Sequence, residues 1–93
     1  MKKVNRHGAL KIASNMYVKT VGNIIFLFSY DTPVAGETPN GPFRTNAKFS
    51  ATTTRHINKY LGKGVGKILQ QDRIMKMAGL MPESAWLLGK LPA

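Results

Sequence analysis

The chain has 93 residues, 14 of them Lys or Arg and 4 Asp or Glu, giving a formal charge of +10, and it contains no Cys. A chain of this length forms one domain, residues 1–93, with a modest core, because it buries only about 60–65% of the surface its unfolded form exposes. The missing cysteines exclude disulfides, thiolate metal sites and cysteine nucleophiles, and a hydrophobic content of 43% excludes wholesale disorder.

Residues 1–8 are basic and end in Gly, as a short arm or the edge of a first strand. Met16 to Val21 is rich in β-branched and aromatic residues and reads as a strand. Gly22-Asn23 tolerates the positive φ of a two-residue hairpin. Ile24 to Tyr30 then reads as a central strand covered on both faces, because its apolar residues are continuous. Pro33 has no amide to donate and is expected to interrupt the ladder, with Val34-Ala35 resuming beyond a bulge or kink. A turn cluster, residues 36–42, precedes a short return strand at Phe43 to Thr45.

The second half reads as helical. Ser50 to Thr53 offers hydroxyls for a helix cap, and Ile57, Tyr60 and Leu61 form one apolar stripe. Gly62, Gly64 and Gly66 end that helix. A second helix is expected from about Lys67 or Asp72 to Ala78, closed by Gly79, with Val65 to Leu69 as an alternative short strand. Leu80 to Gly89 offers a third short helix, with Pro82 at its first turn and Gly89 after its end. The expected fold is therefore α+β: a small antiparallel sheet of three to four strands in the N-terminal half, packed with two to three helices in the C-terminal half.

So much unbalanced positive charge attracts polyanions, nucleic acid first among them. Arg55, Lys59 and Lys63 are spaced by four, and with Lys67 they form the expected nucleic-acid face, joined by Arg44, Lys48 and His56. Contacts of that kind go to phosphates, so binding is expected to have weak sequence preference; the expected partner is DNA in preference to RNA. The glycine segment fails as a nucleotide-hydrolysing loop, since Leu61 and Ile68 stand where Gly and Ser or Thr are needed. Gly64-Val65-Gly66-Lys67 resembles the hairpin of helix-hairpin-helix DNA-binding modules, which implies backbone amides facing a phosphate and a helix following directly.

His7 and His56 have no metal-ligand spacing to the four acids, and no general base with a partner is apparent, so neither metal, cofactor nor catalysis is expected. Phe26, Phe28 and Tyr30 read either as a stacking platform for unpaired bases or as core. Trp86 and Leu87 read as a lid on the core or an anchor for a partner. The longest apolar run, Ile24 to Phe28, is five residues, against the ~18 of a bilayer span. The N-terminus lacks the apolar stretch of a signal peptide, and the expected location is the cytoplasm.

Tyr30-Asp31-Thr32-Pro33-Val34-Ala35, followed by Ser50-Ala51-Thr52-Thr53-Thr54-Arg55-His56-Ile57-Asn58-Lys59-Tyr60-Leu61, resembles a family of short uncharacterised proteins from phages, plasmids and other mobile elements. The resemblance spans about residues 22–62. It implies a small α+β fold and a phage origin, and supplies no activity. It raises a competing expectation: a phage-encoded interaction protein that engages a host or phage protein complex, or a minor virion component, with self-association into a homo-oligomer also open.

Overall fold

A computed structural model describes residues 4–80. The first half of the chain is a meander of β1 (Leu10–Ala13), β2 (Met16–Val21), β3 (Ile24–Ser29), β4 (Thr32–Thr38) and β5 (Gly41–Thr45), each antiparallel to the strand before it. Every link is two residues long: Ala13 lies opposite Met16, Val21 opposite Ile24, Ser29 opposite Thr32 and Thr38 opposite Gly41. Links this short match the twist of the strands when a central residue takes a positive φ. Asn15 (φ 60°), Gly22 (φ 63°) and Tyr30 (φ 59°) do so.

The sequence predicts that Pro33 interrupts the ladder, but it pairs within it. β4 runs through it, opposite Phe28, and Val34 is the extra residue of a bulge, since Leu27 faces Ala35. After β5, α1 (Ala51–Leu61) crosses one face of the sheet, and β6 (Lys67–Leu69) returns beside β5 and parallel to it. The sheet is thus six-stranded and mixed, in the order β1 to β6, rather than three to four antiparallel strands. The additional strands are its edges: β1 is not among the expected strands, and β6 realises the alternative short strand within Val65 to Leu69. β1 is broken by a register shift between Lys11 and Ala13, and β6 is three residues long, so neither carries a clear alternation.

α2 (Gln71–Met77) starts after β6 rather than at Lys67, and Asp72 lies in its first turn while Gln70 occupies the cap position. Its end follows the expected glycine: Gly79, at φ 76°, donates to the Lys76 carbonyl, and Leu80 N–H reaches the Met75 carbonyl at 2.9 Å. Beyond Leu80 the expected third helix, with Trp86 and Leu87, lies outside the described residues.

Side chains alternate across a strand, and β3 divides its residues between two cores. Phe26 and Phe28 point to the face covered by α2, where they pack with Ala9, Phe43, Ile74 and Ala78. Leu27 points to the other, where it meets Met16, Val34, Ala35 and Ile57 of α1. This settles the choice for two of the three strand aromatics: Phe26 is 0% exposed and Phe28 1%, so they are core and cannot stack on a base, whereas Tyr30 is 47% exposed. Phe43 meets Phe26 edge to face at 5.8 Å and lies so close over Gly36 that a Cβ there would sit 2.6 Å from its ring.

The segment before β1 closes the other end of the α2 face. Asn5 organises it: its Oδ1 accepts from the backbone N–H groups of His7 and Ala9 at 2.9 and 3.0 Å. Val4 bridges to Leu10, and Lys19 donates to the His7 carbonyl at 2.8 Å.

Candidate nucleic-acid interface

α1 is fixed at its N-terminus by a row of hydroxyls. Ser50, the N-cap, accepts from Thr53 N–H at 3.1 Å and donates to Thr53 Oγ1 at 3.4 Å. Thr53 Oγ1 lies 3.0 Å from Ser29 Oγ on β3, and Ser29 Oγ lies 2.8 Å from His56 Nδ1. Burial, then the charges of Arg55 and Lys59, hold the His56 pKa below its usual value. The ring is therefore neutral at pH 7. A proton donated by Ser29 Oγ to Nδ1 would leave the ring proton on Nε2.

Ser29 gives His56 the partner that the sequence did not reveal, but it does not make a nucleophile. Ser29 is 2% exposed, so its Oγ is shut away from any substrate and acts as a strut between sheet and helix. Tyr30 is the next residue. Its ring lies 5.9 Å from that of His56, tilted by 47°.

Thr53 and Ile57 face the sheet, and Arg55 and Lys59 are exposed one turn apart, about 6 Å along the axis at 1.5 Å per residue. Arg55 touches Thr52 Oγ1 at 3.4 Å. α1 ends at Leu61, capped by Gly62, so Lys63 stands exposed in the following turn rather than on the helix. Lys48 is exposed in the segment leading to α1, beside Phe49, which is 48% exposed.

Arg44 and Lys67 are placed differently from the expected row. Arg44, on β5, turns its guanidinium onto the glycine segment. Its Nε donates to the Val65 carbonyl at 2.8 Å, one terminal nitrogen donates to Asn58 Oδ1 at 3.0 Å, and the other donates to the Gly62 carbonyl at 2.9 Å. A planar fork with fixed donors suits that task as a lysine would not. The glycine segment is therefore a clamped connection and not a hinge. The helix-hairpin-helix likeness ends there too, because the element after Gly66 is β6 and not a helix.

Lys67 lies opposite Phe43 in the β5–β6 pair, on the α2 side of the sheet. There it lines a groove of about 280 Å³ with Arg73, Pro42, Leu69 and Met77. Arg55, Lys59 and Lys63 thus share the α1 side with His56, and Lys67 lies across the sheet from them.

Among the described residues, no group of three His, Asp or Glu side chains comes together as a metal site, and no helix is long and apolar enough to cross a membrane. Residues 2–76 match the model of a family of unknown function (DUF8033), and the chain belongs to that family. No curated protein and no solved structure matches the chain.

Proposed function

We propose that this member of the family is a non-enzymatic nucleic-acid-binding protein that holds phosphates with the outward side of α1. The observation that carries the reading is the pair Arg55 and Lys59, exposed on one helical face whose neighbours Lys48 and Lys63 are also exposed cations. Among the described residues no carboxylate is paired with any of the four. Like charges one turn apart repel by a few tenths of a kcal/mol, and a row of phosphates relieves that repulsion. The polymer favoured is DNA, and the setting is the cytoplasm of a cell that hosts a phage or other mobile element.

Binding of this kind releases counterions, so log K falls with log salt at a slope of about −0.9 per neutralised phosphate on duplex DNA. In a mobility-shift or anisotropy series from about 50 to 200 mM salt, a slope of about −3 is expected. The double variant Lys59→Glu, Lys63→Glu lowers affinity at least about tenfold and flattens the slope by about 2. No binding at the lowest salt removes the function; unchanged binding by the variant removes α1 as its site.

A second reading, the phage-encoded protein that engages a host or phage complex, is favoured by one observation. Ile68 is 59% exposed on β6, the edge strand of the sheet, and Val65, in the turn before it, is 41% exposed; an edge strand can pair with another chain. A specific partner that survives nuclease treatment and is lost with Ile68→Asp supports it.

A further inference from the structure

The β3–β4 link asks for a positive φ at Tyr30, but nothing in the fold asks for an exposed aromatic there. Tyr30 occupies the left-handed region at φ 59°, which is costly for a bulky L-residue and is normally left to Gly, Asn or Asp. It is 47% exposed, so its ring is not placed there to fill the core. Its backbone is fastened on both sides: its N–H donates to the Asn15 carbonyl at 2.8 Å, and its carbonyl accepts from Asn5 Nδ2 at 3.3 Å. Two separate segments thus hold an exposed aromatic in a strained conformation, an arrangement that recurs at ligand clamps.

The surroundings suit one kind of ligand. The neutral imidazole of His56 stands beside the phenol, itself pinned by Ser29, and Arg55 and Lys59 are close enough to bias its protonation. An exposed aromatic face next to phosphate-binding cations is the composition of a single-strand site, where unpaired bases stack and the backbone follows the charge. A duplex keeps its bases stacked on one another and offers Tyr30 nothing.

We infer that Tyr30, with His56 behind it, is a stacking platform for an unpaired base, and that the nucleic acid held by α1 is single-stranded. This rests on the phosphate-binding reading of α1 and names its substrate class. Phosphates fix the strand along Arg55 and Lys59, and one base lies on the open face of the Tyr30 ring.

The test measures the full chain against a fluorescein-labelled twelve-nucleotide oligothymidine and against a twelve-base-pair duplex, at about 50, 100 and 200 mM salt. Wild type is expected to prefer the single strand. Tyr30→Asn lowers single-strand affinity about tenfold, by the same factor at each salt because stacking releases no counterions, and leaves duplex affinity unchanged. Tyr30→Phe keeps the ring and binds as wild type does. Since Asn tolerates the left-handed region, Tyr30→Asn also melts no lower than wild type, so its loss of binding is not a loss of folding. Equal loss on both oligomers, a duplex preference, or no effect of Tyr30→Asn overturns the stacking site while the phosphate face stands. Failure of wild type to bind either oligomer overturns both.

Discussion

The two faces of the sheet are finished with different chemistry. On the α2 side Phe26, Phe28, Phe43 and Ile74 form a core of large apolar groups, which stabilises by burial and is indifferent to small changes of orientation. On the α1 side the buried groups are smaller, Val34, Ala35, Met16, Leu27 and Ile57. The helix is located there by directed bonds at its two ends: the Ser50, Thr53, Ser29 and His56 row at the start, and the Arg44 fork at the finish. Hydrogen bonds of modest net strength add little to stability but fix geometry. The side that carries the proposed interface is the one whose helix is held in place by them.

That contrast can be broken from either side. Phe26→Ala is expected to cost about 3–5 kcal/mol, a large part of the roughly 5–15 kcal/mol available to a domain, and thermal unfolding checks it. A loss under about 1 kcal/mol would mean that the α2 side is not the main source of stability. Arg44→Lys keeps the charge but replaces the fork, and is expected to cost about 1 kcal/mol through the part-buried hydrogen bonds it loses, read from a denaturant midpoint. Wild-type stability in that variant would show that charge, not donor geometry, holds the glycine segment.

The smallest effect concerns pH. A folded pKa below the ordinary imidazole value of 6.5 means that the unfolded chain binds the proton more readily. His56 therefore makes no demand above pH 6.5, and stability falls as the pH drops from there towards its lower folded value. Melting curves between pH 7 and pH 5 should fall less steeply for His56→Gln than for wild type. Superimposable profiles would mean that burial and the neighbouring Arg55 and Lys59 do not hold the ring neutral.

The sequence made the central parts of this fold legible. The Gly22-Asn23 turn, the doubly covered β3, the Ser50 cap and the Gly79 stop each follow from local chemistry that the structure repeats. Its failures are long-range. Spacing by four places Lys63 and Lys67 in line with Arg55 only while the helix continues, and Gly62 ends it. Nothing local says that Arg44 reaches 18 residues ahead to Gly62, so its donors looked free. Ser29 was hidden at the end of an apolar strand, and Tyr30 read as that strand's last residue when it is the first of a turn. A signal was present in Tyr30-Asp31: a polar residue after an apolar run and two places before a proline marks a turn.

The two-residue links also govern how the chain finds its fold. Each of the first five strands needs only the closure of its own hairpin, whereas β6 must close the stretch 46–66 before it meets β5. Closing a loop about ten times longer costs on the order of 2 kcal/mol more in chain entropy. The meander is a template whose contacts are local, and α1 with the clamped glycine segment is the connection that must be ordered on it before β6 can pair.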